Sequence, residues 1–318
     1  RLVGSEMCIR DSFSLAHLSD LHLPVPSGAI HPLSQLAGKR LLAYFAWRRK
    51  RRRAVSAAAL LADIVAAGAD HLAITGDLTN LGLPGEFAAA RDWLAALGPS
   101  EGVTVVPGNH DATVALPWAD GTGLWSPWMS GEAGGAPFPF LRRRGAVALI
   151  GLSSAVPTRP GSAAGRLGAA QLAALPGLLE VAGREGLFRI VMIHHPPLLG
   201  PGGRRKALAD RAALCRVLAR HGAELVLHGH HHRPLRGEVP GPRGPIPVLG
   251  TPQALAAGHG GPSGWQMLRI AREAEGWRVA VELRLRDAAD GMFRASPATV
   301  LRVSSGGGWS SATPLAAR

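Results

Sequence analysis

Residues 226 to 234 read VLHGHHHRP, with four histidines, His228, His230, His231 and His232, inside five positions. Histidine at that density serves neither packing nor solubility, and neutral imidazole is the commonest protein metal ligand. Four more donor groups punctuate the chain: SDLH (Asp20, His22), TGD (Asp77), PGNHD (Asn109, His110, Asp111) and IHHPP (His194, His195). A two-residue period in extended backbone places Asp20 with His22 on one face, and likewise His230 with His232, leaving His231 on the other. His228 shares their parity but lies inside the preceding apolar run, across Gly229, and is expected to pack or to support a ligand. Seven of these are counted as ligands: Asp20, His22, Asp77, Asn109, His194, His230 and His232. Seven are too many for one ion and suit two that share a carboxylate. Mixed imidazole, carboxylate and amide donors select transition metals, Mn, Fe or Zn foremost, over a calcium cage. The two cysteines, Cys8 and Cys215, form neither a CxxC knuckle nor a disulfide framework.

Such donors need rigid elements behind them. Apolar runs at Phe13–Ser19, His71–Thr75, Val103–Val106, Ala146–Leu152, Phe188–Ile193, Glu224–Leu227 and Ile246–Leu249 read as strands. Helical spacing covers Ala54–Ala67, Glu86–Leu97 and Ala207–His221, each followed by the glycine that commonly ends a helix. This alternation predicts an α/β fold, and the donor groups follow the strands, where open α/β sheets place ligands. Two alternating runs joined at Glu275–Gly276 predict a hairpin. The domain is expected to span residues 13 to 303. Residues 1–12 (RLVGSEMCIRDS) lack its Ala/Leu/Gly/Arg character and read as a foreign or disordered leader, and residues 304–318 have the composition of a disordered tail. The Gly-, Pro- and Trp-rich segment from Thr113 to Arg144 is too long for a plain connection and is expected to act as a lid or specificity loop.

Of 318 residues, 47% are hydrophobic, enough for a large core, and 35 Lys and Arg against 22 Asp and Glu give a net charge of +13. That balance suits an anionic partner. The aromatic and basic stretch from Leu41 to Arg53 reads as a solvated helix start more than a peripheral membrane contact, and no nucleic-acid-binding motif accompanies the charge. No apolar run is long enough to span a bilayer. A cytoplasmic location is expected, with export left open because the native start is not evident.

The ordered series D-x-H, G-D, G-N-H-D, H-H-P-P and G-H-x-H resembles the calcineurin-like metallophosphoesterase superfamily, over roughly Phe13 to Arg233, and within it the class III cyclic nucleotide phosphodiesterase and glycerophosphodiesterase branch. The resemblance implies a four-layer αββα sandwich of two mixed sheets, with a dinuclear metal site at the C-terminal ends of strands. It implies one ion on Asp20, His22, Asp77 and His232, and a second on Asp77, Asn109, His194 and His230, with Asp77 bridging. Other branches fit less well. Asn80 stands where purple acid phosphatases carry tyrosine, GDLTNLG replaces the protein-phosphatase GDxVDRG, and His110 stands where UDP-diacylglucosamine hydrolases carry arginine.

The chemistry so implied is hydrolysis of a small phosphodiester, a cyclic nucleotide or glycerophosphodiester, by a hydroxide shared between the ions. His110 is expected to be the catalytic acid or an oxyanion donor. Asp111 is expected to orient it or to sit exposed in a turn, and Asn80, His195 and His228 are candidate supports beside the ligands. A nuclease of the same superfamily and a non-catalytic scaffold are the competing readings.

Overall fold

The computed structural model describes residues 12–30, 36, 38–50, 57–132, 137–200, 202–255, 263–274, 276–304 and 309–311. Two mixed sheets face each other. The first contains β1 (Ser12–Leu18), β2 (His71–Ile74) and β3 (Val103–Val105) in parallel, with β10 (Gly264–Glu273) antiparallel against β1. β11 (Gly276–Arg286) pairs with β10 as the expected hairpin and carries β12 (Phe293–Ala295) and β13 (Thr299–Ser304), with β14 (Trp309–Ser311) at the far edge. The second sheet runs β4 (Phe140–Arg144), β5 (Val147–Gly151), β6 (Phe188–Met192), β7 (Leu225–His228), β9 (Ile246–Gly250) and β8 (Arg236–Val239). Its four inner strands are parallel and both edges antiparallel.

Burial on both faces explains the unbroken apolar runs. Val147, Leu149, Ile190 and Leu225 enter the core between the sheets, while Ala148, Ile150, Val191 and Val226 enter a second core. That second core is covered by α5 (Ala169–Arg184) and α6 (Arg211–His221), through Leu175, Leu179, Leu214 and Leu218. On the first sheet, α2 (Ala57–Ala67) contributes Leu60 and Ile64, and α3 (Pro84–Ala96) contributes Phe87 and Leu94. The layers are therefore helix, sheet, sheet, helix, as expected for the αββα sandwich.

Several elements differ from the sequence expectation. Ser12, placed with the leader, begins β1; the rest of that leader lies outside the described residues. The expected disordered tail supplies β14, because Trp309 stacks its ring edge-on against Phe188, 6.1 Å between centroids; residues 312–318 lie outside the description. α6 starts four residues late, since Leu208 bridges to Gly165 and the Asp210 carboxylate takes the amides of Leu167 and Gly168. α5 escapes the periodicity reading and tolerates Pro176 within it.

The described residues of the Thr113–Arg144 segment form a packed insert. Short 3-10 turns at Trp118–Asp120 and Thr122–Trp125 lead into α4 (Ser126–Met129), with Trp125, Trp128 and Met129 buried in the main core. Trp125 donates its indole N–H to the Phe87 carbonyl, 3.0 Å. Arg142 is buried. Its guanidinium donates to the carbonyls of Ser130, Ser100, Val103 and Pro127, tying the insert to the start of β3. The aromatic and basic stretch forms α1 (Lys39–Lys50), whose Tyr44 and Trp47 pack on Leu81 and Leu83 while Leu41, Leu42 and Phe45 are exposed. Cys215 is half-buried and free, its thiol 3.6 Å from the Pro197 carbonyl. No described helix is long and apolar enough to cross a membrane.

Candidate dinuclear metal centre

All the predicted donors leave the C-terminal ends of β1, β2, β3, β6 and β7 on one edge where the two sheets meet. Asp20, His22, Asp77 and His232 offer four atoms within 4.8 Å of one another, a set that can hold a cation. His194 and His230 belong to a second such set, with His195 as its third member. Asp77 lies between the two groups, its Oδ2 3.4 Å from His194 Nε2 and 4.0 Å from His22 Nε2. Its Oδ1 is committed elsewhere, accepting the His110 amide at 2.7 Å.

The side chains converge by a route that period-two reasoning does not describe. Asp20, His22, Asp77, His230 and His232 have φ of 53°, 45°, 56°, 71° and 56°, and they are the non-glycine residues with positive φ among the described residues. The chain alternates through left-handed residues rather than running extended, at a cost of about 1–2 kcal/mol each. Strain gathered on five donor residues is the usual mark of a working site. Cross-links hold it in place. The amides of Asp20 and His22 donate to the carbonyls of Gly76 and Asp77, both at 2.9 Å. Gly108 is needed for close approach, because a Cβ there would lie 2.2 Å from Asp77 Oδ1.

Hydrogen bonds to carbonyls settle which nitrogen of each ring faces inward, since a carbonyl only accepts. His194 donates Nδ1–H to Thr75 O (2.6 Å) and His22 to Thr79 O (3.0 Å), so Nε2 of each is the free lone pair. His195 donates Nε2–H to Ala163 O at 3.0 Å, and its Nδ1 accepts from the Ser154 hydroxyl at 2.8 Å. Both nitrogens of His195 are thus used, and it supports the site without offering a donor atom to it. His228 donates Nδ1–H to Gly229 O at 2.8 Å and packs against Gly250, as expected for a residue inside the strand. His231 turns toward Gly200, away from the donor groups.

What remains is a group of nitrogen and oxygen atoms turned toward one another. His194 Nε2 is 3.2 Å from Asn109 Oδ1. His232 Nε2 stands 3.1 Å from Asp20 Oδ1, yet Asp20 Oδ1 and His230 Nε2 are buried without any hydrogen-bond partner. Orphaned buried acceptors are costly, and a cation in each group would satisfy them. The donor chemistry therefore fits two transition-metal ions. Without metal, protons and fixed charges carry the balance. Burial alone would strip His194 of its proton, but the Asp77 carboxylate outweighs it and raises the pKa to about 9. Burial opposes the charge on Asp77 too, and His194 and His110 hold it well below the usual carboxylate range. Burial pushes His22 down to about 3, leaving it neutral.

Asp111 neither orients His110 nor sits exposed. It is buried, and its carboxylate accepts the amides of Asp77, Thr79 and Gly108, all at 2.9 Å, and the Thr79 hydroxyl at 3.0 Å. It ties the Asp77 loop to the Asn109 loop. The Asn80 carbonyl takes on the orienting role, accepting His110 Nδ1–H at 2.7 Å, while the Asn80 side chain donates to Leu23 O at 2.7 Å. The Glu86 carboxylate in turn accepts the amides of Asn80, Leu81 and Leu83. His110 packs edge-on against His22, 4.7 Å between ring centres.

A two-sheet sandwich with paired donor clusters at one strand edge is the construction of a metal-dependent hydrolase. The chain belongs to the calcineurin-like phosphoesterase family, whose sequence profile matches residues 13–234. It is 29% identical over 275 residues, 85% of this chain and 92% of the relative, to a protein of Synechococcus sp. (strain PCC 6301) named as a probable cyclic nucleotide phosphodiesterase. A second protein of that name, from Synechococcus sp. (strain WH7803), is 36% identical over 104 residues, 32% of this chain and 39% of the relative. The fold is similar to that of a dimetal phosphatase from Danio rerio, with a TM-score of 0.55 at 13% identity, covering 89% of this chain and 98% of that one. The chain is thus a metal-dependent phosphoric ester hydrolase.

Proposed function

We propose that this enzyme hydrolyses a small phosphodiester, with 3′,5′-cyclic nucleotides as the leading substrate class and glycerophosphodiesters as the other. The observation that carries the proposal is the pair of donor clusters meeting at Asp77 Oδ2, with buried acceptor atoms on both sides lacking partners. The name borne by the relative that spans 85% of the chain supports the cyclic nucleotide class.

Asp20, His22, Asp77 and His232 would hold one cation, and Asp77, Asn109, His194 and His230 the other. Bound there, two cations supply a water activated at neutral pH and positive charge for the phosphoryl oxygens. The chain's own part begins with His110. With Nδ1–H committed to Asn80 O, only Nε2 is available for chemistry. Protonated there, the ring donates to the departing ester oxygen and is left neutral, so the alcohol leaves without an alkoxide charge. The His110 amide fixes Asp77 Oδ1 at the same time, so the group that delivers the proton also sets the carboxylate between the clusters. Asp20 and Asp77 offset part of the charge of two cations, leaving a net positive site that attracts the single negative charge of a diester.

The test is a hydrolysis screen of the purified chain with Mn²⁺ over cyclic nucleotides, glycerophosphodiesters, phosphomonoesters and single-stranded DNA. Turnover confined to small diesters is expected. Monoesters as the preferred class, steep salt-dependent cleavage of DNA, or no metal-dependent hydrolysis would each reject the proposal.

A further inference from the structure

The insert that carries α1 lies between the Asp20–His22 and Asp77 motifs, and the family motifs give it no role. Arg40, buried, donates its guanidinium to the carbonyls of Leu81 and Gly82. Those carbonyls belong to the loop that begins with Asp77 and includes Asn80. The neighbouring residue, Lys39, reaches the other way and donates its ammonium to the Thr158 hydroxyl, 119 residues along the chain. Thr158 sits in the loop between β5 and α5, and the same loop supplies Ala163 O to His195. Its hydroxyl proton is used, donated to Ser162 O at 2.7 Å, so the Thr158 oxygen faces Lys39 as an acceptor. Lys39 and Arg40 together thus join the two loops that hold the supports of His110 and His195.

Three features make this lysine unlike a surface charge. It is half-buried. Among the described residues no carboxylate lies within ion-pair distance of it, and its one hydrogen-bond partner is neutral. Burial pulls its pKa below the usual lysine range, opposed in part by the charge of Asp77. A desolvated ammonium with a single neutral partner keeps donors free for an anion.

We propose that Lys39, held by Thr158 beside the loops that support His110 and His195, is a substrate-binding subsite that takes an anionic oxygen of the phosphodiester. This rests on the phosphodiesterase reading above and assigns to the insert the recognition of the substrate's charge. Lys39 acts in binding and moves no proton, so its removal should weaken substrate capture more than turnover.

The experiment compares the full chain with K39M, K39R and T158V, all loaded with Mn²⁺. Steady-state hydrolysis of bis(p-nitrophenyl) phosphate and calorimetric binding of inorganic phosphate are measured on each, with metal content as a control. K39M keeps the apolar stem and is expected to raise KM and the phosphate Kd roughly tenfold, the scale of one charge-assisted contact. It should leave kcat within about threefold and metal content unchanged. K39R should recover most of the affinity, and T158V should lose about threefold. Unchanged KM and phosphate Kd in K39M would overturn the subsite, as would a fall in kcat at constant KM. A wild-type chain that binds phosphate in a Lys39-dependent way but cleaves no diester would reject the phosphodiesterase reading while keeping the subsite as an anion site.

Discussion

Removing the Asp111 carboxylate tests whether the site is pre-built by the protein or assembled by its ligands. Asp111→Ala leaves the amides of Asp77, Thr79 and Gly108 buried without the oxygens they now reach at 2.9 Å. An orphaned buried donor costs about 1–3 kcal/mol, so three cost about 6. Against this stands the cost of the buried charge itself. Burial and the nearby Asp77 carboxylate raise Asp111 from the usual 3.8 to about 6, and holding it ionised therefore costs about 3 kcal/mol. The difference predicts a net loss of about 3 kcal/mol. The assay is urea unfolding with metal chelated, where the midpoint should fall at an unchanged slope. Because Asp111 joins the Asp77 and Asn109 loops, metal affinity should fall in the same variant although no donor atom has been removed. A loss below about 1 kcal/mol, or undiminished metal binding, would refute the idea that this carboxylate holds the two loops in register.

His110→Ala should keep both metal ions and lose roughly 10²–10⁴ in kcat, the range for a positioned acid, and near-normal turnover would remove His110 from the mechanism. Arg142→Met should destabilise by about 2–4 kcal/mol, since four carbonyls lose one buried cation, and a thermal melt within a degree or two of wild type would contradict its role as the clamp of the insert. Acid should destabilise the metal-free protein. His17 and His71 are buried neutral, pushed by burial from 6.5 to about 3, so their contribution is complete above pH 6.5 and is lost as pH falls toward 3. Together they remove about 3 kcal/mol between pH 6.5 and pH 5. His194 has the opposite sign, but its contribution changes as pH rises from 6.5 through about 9, outside that window, while Asp111, raised to about 6, returns about 1 kcal/mol within it. Equal unfolding midpoints at pH 6.5 and pH 5 would contradict this.

The donor set was readable because each member follows an apolar run and all but His194 sit beside a glycine or at two-residue spacing, features of residue type alone. The geometry that joins the members was less so. Period-two spacing placed Asp20 with His22, which share a donor set, but His230 and His232 fall in different sets, and all four sit on left-handed backbone, which spacing does not distinguish from extended chain. The groups that orient the imidazoles are the carbonyls of Thr75, Thr79, Asn80 and Ala163, and a carbonyl is present at every position whatever the residue. Asp111 was seen as a neighbour of His110 in sequence, whereas its partners lie three to 34 residues away along the chain. Arg142 and Lys39 were hidden for the opposite reason. Each stands beside other basic residues whose usual place is the surface, and only long-range packing turns one into a clamp and the other toward Thr158. α5 was missed because Pro176 breaks its pattern, and β14 because Ser- and Gly-rich composition conceals a strand anchored by one tryptophan.

The central claim, that Asp77 is shared between two cations, is tested most directly by counting metal. Wild-type chain, dialysed from Mn²⁺ and assayed by elemental analysis, should carry two ions, and Asp77→Ala should carry neither. Two ions retained by Asp77→Ala, or a single ion in the wild type under saturating Mn²⁺, would contradict it.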